Sequence, residues 1–273
     1  MQYLIQKKIN PKIVTFGGCL SRFTAGNLIK MYGGSILSAV YNNRFDMFVD
    51  KFIYKNDVLP DYHIFKSLLN PTTKQEIIYK RQASETIGIY YSSEDEAFEN
   101  ESEKNSEHKE LKGKYSNFFD VLNSAGNQVD LVIIDNYIDL IAKGVILKTE
   151  EYSSDPFFLP IDSKNQMKFC QFCDYESVLE MVHNCNIIID YIKNFCSNAK
   201  ICFLSFPPEL YPEDHVIHQR SKDFNNAFAN KQIDLAVECH IFSKAYSKNK
   251  EHQHFVPAYY SSLAQSIYSS LYS

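Results

Sequence analysis

No apolar run in this sequence of 273 residues is long enough to span a bilayer, and the longest, at 129–135 and 187–190, are sized for a strand or a buried helix turn. The first ten residues carry Lys7 and Lys8 but lack the apolar core of a secretory signal. A cytoplasmic protein is therefore expected. Nothing in the chain forms the basic stripe that nucleic-acid binding requires: the net charge is −5, and no nucleic-acid partner is expected. Seven cysteines make an odd count without a disulfide framework, a pattern that suits a reducing compartment. Internal repeats, Walker spacing and dinucleotide-binding spacing are all missing, which removes solenoids and the common nucleotide folds. Tryptophan is absent too, yet aromatic residues reach 14% and apolar residues 45%, ample for a continuous core.

What is present is unevenly charged. Between Glu94 and Glu110 eight acidic residues face two lysines, so the remainder of the chain sums to +1. The stretch 92–114 holds too few apolar residues to pack and is expected to be a mobile acidic insert in a single domain covering 1–273. Around it, short β-branched runs alternate with helical spacing, the pattern of an α/β three-layer sandwich with a mainly parallel five-stranded sheet flanked by helices. The expected strands are 12–16, a run around 47–53 after a helix at 35–41, 129–135, 200–206 and 234–241. Helices are expected at 175–196 and 257–271. In such sheets ligands sit at the carboxyl ends of the strands.

Two short blocks carry the chemistry. The first strand runs into Gly17-Gly18-Cys19-Leu20-Ser21-Arg22, with a helix following. Two glycines permit a tight strand-to-helix turn, and a cysteine at a helix N-terminus sits in a field that favours thiolate over thiol, to which Arg22 adds. A small buried cysteine beside a turn is the competing reading. Ser21, two residues on, is the alternative nucleophile, although a cap or substrate-binding role suits it better. At the other end lies Glu251-His252-Gln253-His254-Phe255 before a closing helix. A carboxylate three residues ahead of a histidine can orient its ring, leaving the other nitrogen to take a proton; His252 is the competitor. Cys170 and Cys173 form a C-x-x-C pair without a second such pair, so no metal is assigned to them, to His183 or to Cys185. The loose cluster Asp214, His215 and His218 is read as a solvated loop bordering the substrate mouth. Gly33-Gly34-Ser35 lacks phosphate-loop spacing.

Taken in this order, the blocks resemble those of the SGNH (GDSL-like) hydrolase superfamily. Gly17-Gly18-Cys19-Leu20 matches its first block, with Gly18 at the usual aspartate position and Cys19 at the nucleophile position; Glu251 and His254 match its last. More closely, G-x-C-L-S-R and H-F-x-P-A-Y-Y look like the cysteine-containing branch associated with bacterial surface-polysaccharide biosynthesis, which includes capsule acetyltransferases. The resemblance implies Cys19, His254 and Glu251 as the catalytic set. It also implies a glycine after the second strand and an asparagine after the third as oxyanion donors, for which Gly34 and Asn136 are the candidates, with Ser21 and Arg22 near the substrate. Neither Gly34 nor Asn136 sits in a full family block, and Asp135 and Asp139 compete for that rim.

The resemblance further implies acyl transfer, with acetyl-coenzyme A as donor, a carbohydrate hydroxyl as acceptor and no metal, and it leaves room for association with membrane-bound polysaccharide-assembly machinery. An esterase using the same residues, or a non-catalytic carbohydrate-binding protein of the same fold, are the alternatives.

Overall fold

The computed structural model describes residues 10–41, 43–56, 59–83, 88–90, 114–161, 164–240 and 255–272. Of the acidic stretch at 92–114 only Lys114 falls within these residues, as the first residue of a short strand. A parallel five-stranded sheet forms the centre, built from β1 (Lys12–Gly17), β2 (Ser35–Tyr41), β5 (Leu131–Asp135), β8 (Lys200–Ser205) and β9 (Leu235–Glu238) in the order β2-β1-β5-β8-β9. Two antiparallel pairs lie outside it, β3 (Gly88–Tyr90) with β4 (Lys114–Ser116) and β6 (Val145–Leu147) with β7 (Cys170–Phe172).

The central strands are apolar without alternation because both sheet faces are covered. Ile13, Val14 and Phe16 of β1 and Leu131 to Ile134 of β5 are wholly buried. On one face α1 (Cys19–Tyr32) packs against the closing helix, numbered α9 here (Pro257–Leu271). Tyr32 stacks on Tyr268 with ring centres 3.9 Å apart, Phe23 meets Tyr260, and Ser261 donates a hydrogen bond to Asn27. The other helical layer contains α5 (Phe118–Ala125), α7 (Val178–Phe195) and α8 (Val216–Ala227). Ser177 and Glu180 start α7 with a capping box, satisfying backbone donors at both ends of that short segment. The three-layer architecture expected from the sequence is thus the observed one. Among the described residues no helix is long and apolar enough to cross a membrane.

Two element assignments change. Residues 35–41 are not a helix but strand β2, and the run at 47–53 is not a strand but helical. There α2 (Phe45–Phe48) continues into a π-helical turn at Val49–Ile53. The buried residues Phe45, Phe48, Val49 and Phe52 follow the i, i+3, i+4, i+7 spacing of a helix face.

A second, smaller core joins α3 (Tyr62–Leu69) and α4 (Thr73–Ala83) to the β6–β7 pair through Phe65, Leu69, Ile78, Tyr79, Val145, Leu147, Phe157 and Leu159. Both contributing stretches leave the sheet at carboxyl ends, those of β2 and β5. This small core therefore belongs to the edge on which a doubly wound sheet binds ligands.

Candidate functional site

The strand order reverses at β1: β2 lies on one side, and β5, β8 and β9 on the other. The crevice at such a switch point, outside the carboxyl ends of β1 and β5, is where this topology opens a site. Cys19 lies there. It is the first residue of α1, half-buried, and forms no disulfide. The turn that delivers it depends on Gly17, whose φ of +134° suits glycine and whose absent Cβ would stand 2.5 Å from the Asp135 carbonyl oxygen. Gly18 is packed against Tyr137 and the Asp135 carboxylate.

Asp135, the last residue of β5, is wholly buried and organises this turn. Its Oδ2 accepts the N–H groups of Gly18 at 2.9 Å and Ser21 at 2.7 Å, and its Oδ1 accepts that of Tyr137 at 3.0 Å. It therefore receives orphan donors at the N-terminus of α1 and also at the start of α6 (Tyr137–Ile141). Burial pushes the Asp135 carboxyl above its ordinary value, against the opposing pull of bonds from Ser21, Tyr137 and Gly18.

Asn136 follows. Its Oδ1 accepts the Phe206 N–H at 2.9 Å, just past β8, and its Nδ2 is buried with no hydrogen-bond partner among the described residues. Aromatic rings close the crevice: Tyr137 and Phe206 lie 4.5 Å apart, Phe206 meets Phe255 and Tyr211, and Phe255 meets Tyr259 and Tyr260. Burial, then the neighbouring Tyr211, Cys19 and Asp135, hold the Tyr137 hydroxyl well above its usual range, so it remains protonated at neutral pH.

The candidate residues separate under this geometry. Cys19 and Asn136 come to one edge, just past the carboxyl ends of the adjacent strands β1 and β5. Glu251 and His254, with His252, lie outside the described residues. Gly34 does not belong to the site: it precedes β2, at the amino edge of the sheet, where its φ of +109° and the Pro11 carbonyl oxygen, 2.2 Å from a Cβ, explain the glycine. A glycine there follows α1 rather than the second strand and cannot serve an oxyanion at the opposite edge. Ser21 is wholly buried with its N–H on Asp135 and its hydroxyl 3.4 Å from the Gly18 carbonyl, so it holds the turn rather than touching substrate. Arg22 is buried as well, its guanidinium 4.4 Å over the Phe23 ring.

Composition and motif spacing gave no sign of a second polar centre beside this edge. Arg44 pairs with Asp46, donates to the Ala142 carbonyl and lies 3.7 Å from Glu176, while Arg220 donates to the Leu140, Asp139 and Glu176 carbonyls. Asp46, Asp139 and Glu176 bring carboxylate oxygens within 4.8 Å of one another, the one such three-residue group among the described residues. Its countercharge is the Arg44 guanidinium, which Asp46, Asp139 and Glu176 keep protonated although burial opposes it. Burial and then Asp46 push the Glu176 carboxyl up to about 7; burial and then Glu176 raise Asp139 well above its usual range. These groups tie α2, α6, α8 and the lead into α7 together, while Asp139 Oδ2 and Glu176 Oε2 are buried with no hydrogen-bond partner among the described residues. Cys170 and Cys173 lie at β7, apart from Cys185, which is buried within α7. His215 caps α8 by accepting the Ile217 N–H, and its ring stacks on Tyr211.

A scan against models of known protein families matches none, and no curated protein matches the sequence.

Proposed function

We propose that this chain transfers an acyl group, acetyl from acetyl-coenzyme A, to a carbohydrate hydroxyl through a covalent intermediate on Cys19. The observation that carries the reading is the pairing at the switch point. A half-buried cysteine opens α1, while just past the end of the neighbouring strand β5 stands an asparagine whose amide nitrogen is buried and uncommitted. A nucleophile beside an uncommitted donor is what addition to a carbonyl needs, because the tetrahedral intermediate develops an oxyanion that such a donor stabilises.

In the proposed reaction the Cys19 thiol gives its proton to His254, which Glu251 orients, and the sulfur attacks the thioester carbonyl. Collapse of the intermediate expels coenzyme A, which leaves with that proton, and the acyl group remains on Cys19. A sugar hydroxyl then attacks the acyl-cysteine, its proton passing to His254, and the thiolate departs. The carbohydrate acceptor, the acetyl donor and the roles of His254 and Glu251 rest on the resemblance to the polysaccharide-modifying SGNH branch. The turn geometry supports Cys19 independently of it.

Intact mass after incubation with acetyl-coenzyme A tests the reading. An acetyl adduct on Cys19, lost in Cys19→Ala and discharged by added sugar, is the expected result. Free acetate released from an acetylated sugar with no adduct from the thioester would assign an esterase instead. If neither result is seen, the non-catalytic carbohydrate-binding reading is favoured instead.

A further inference from the structure

Asp46, Asp139 and Glu176 take no part in the proposed reaction, and their hydrogen bonding is incomplete. Asp139 is 1% exposed and the Glu176 side chain 6%. Asp139 Oδ1 accepts the Phe45 N–H at 2.6 Å, and Glu176 Oε1 accepts the Asn184 amide at 2.8 Å. The oxygens left over, Asp139 Oδ2 and Glu176 Oε2, are the buried ones with no hydrogen-bond partner among the described residues. Glu176 Oε2 faces into the group: it lies 3.7 Å from Arg44 Nη2, too far for a hydrogen bond, and that same nitrogen is bound to Asp46 Oδ2. A buried acceptor left unmatched costs about 1–3 kcal/mol, and more when it is charged.

The charges acting on this group do not balance either. Arg44 and Arg220 oppose the three carboxylates, but Asp50 acts on Asp46 and Glu180 on Glu176, so five carboxylates meet two guanidiniums when all are ionised. Arg220 moreover spends its donors on the Leu140, Asp139 and Glu176 carbonyls and leaves the side-chain oxygens open. A water between the two orphan oxygens would complete their hydrogen bonds and leave the charge excess in place; a cation answers both. Carboxylate oxygens are hard donors, which suit calcium, magnesium or manganese. Oxygens on opposite sides of a calcium ion stand about 4.6–5.2 Å apart, and around magnesium about 4.0–4.2 Å. The oxygens here, all within 4.8 Å of one another, can share one calcium ion without moving. The Asp46 side chain is 25% exposed, which opens an entry path and room for water ligands.

We propose that Asp46, Asp139 and Glu176 together hold one calcium ion, at the point where the segments following β2 and β5 meet the lead into α7. The ion joins three stretches of chain that are far apart in sequence, at the base of the smaller core, and its binding does not depend on the acyl-transfer reading.

The test is titration of the chelator-treated full chain with calcium chloride, followed by calorimetry and thermal melting, with magnesium chloride in parallel. Wild type is expected to bind calcium more tightly than magnesium and to melt at a higher temperature with calcium bound, since the ion binds the folded state alone. Glu176→Gln, which keeps the shape of the side chain and an oxygen for Asn184, is expected to weaken calcium at least about tenfold, as is Asp139→Asn. Absence of a calcium heat and of a melting shift in wild type overturns the site, and so does calcium affinity unchanged in Glu176→Gln. Magnesium bound as tightly as calcium overturns the assignment of the ion. Hydrogen exchange on wild type needs no variant: calcium is expected to slow exchange of the amides at 44–48, 136–142 and 174–178. Calcium binding without protection of these segments would put the ion elsewhere, on the acidic stretch 94–110 for example, and overturns the site as well. Cys19 acetylation, measured separately by intact mass, decides the acyl-transfer reading whichever way calcium behaves.

Discussion

Replacing Asp135 by asparagine tests whether one buried carboxylate holds the Cys19 turn. The carboxylate accepts three backbone N–H groups, two on Oδ2 and one on Oδ1. An amide has a single acceptor oxygen, so in either orientation at least one of those donors faces an NH₂ group. Bonds to a charged acceptor contribute about 1.5–3 kcal/mol each, and a stranded buried donor costs about 1–3 kcal/mol. Part of that loss is offset because asparagine need not bury a charge, the effect that raises the Asp135 carboxyl in the fold. The balance is a destabilisation of about 1–3 kcal/mol, measurable by urea unfolding followed by circular dichroism, since the protein has no tryptophan. Its sign with pH is also fixed. A carboxyl raised by folding contributes stability that is complete below its unfolded value near 3.8 and is lost as pH rises through its folded value. The gap between wild type and Asp135→Asn should therefore be widest in acid and narrow towards neutrality. A variant as stable as wild type at pH 5 refutes the anchoring role, and a gap that is constant with pH refutes the burial argument.

Gly17→Ala should cost about 3 kcal/mol or more, since it adds a strained positive φ to a backbone clash, whereas Gly18→Ala, at φ −108° with a tyrosine ring able to yield, should cost about 1 kcal/mol or less; comparable melting curves for the two would contradict the turn geometry. Glu176, pushed up to about 7 from 4.5, makes wild type lose stability as pH rises across that window. Glu176→Gln should flatten the decline, by up to about 1.4 kcal/mol per pH unit, and an unchanged pH profile would remove Glu176 from it. Deleting 94–110 shortens the connection between the paired strands β3 and β4, and closure entropy alone should then raise stability by about 1 kcal/mol. A fall in melting temperature would mean that the acidic stretch packs against the body.

The sheet was legible because its central strands announce themselves. Leu131 to Ile134 and Ile201 to Leu204 are unbroken apolar runs buried on both faces, a pattern that only a covered parallel sheet tolerates for long. The edge strand β2 was not, because Ile36, Leu37, Ala39 and Val40 also fit helical spacing over so short a span. What separates the two readings is local: Gly33 and Gly34 both take positive φ and end α1 just before β2 begins. The error at 47–53 came from starting the count too late; counted from Phe45, the buried residues trace a helix face. Of the site, the glycine turn and Cys19 could be read from a hexapeptide because strand, turn and helix are contiguous. Asp135 as the anchor of that turn could not, since the residues it binds lie 117 and 114 positions away.

The same distinction separates anchoring groups from candidate binding groups along the carboxyl edge. A buried polar atom whose hydrogen bonds are complete within the chain has its stabilising role explained by the fold, and Asp135, Ser21 and Ser221 are of this kind. Asn136 and His218 are half of this kind. Each uses one polar atom to lock its orientation, on the Phe206 N–H and the Tyr211 carbonyl, and leaves the other buried and unmatched. Selection for stability alone would favour apolar side chains at two such positions, because each unmatched atom costs about as much as the locking bond returns. In the proposed reaction the unmatched Asn136 Nδ2 is the atom left to meet a developing oxyanion. The strand order brings Cys19, after β1, and Asn136, after β5, to the same carboxyl edge of the sheet.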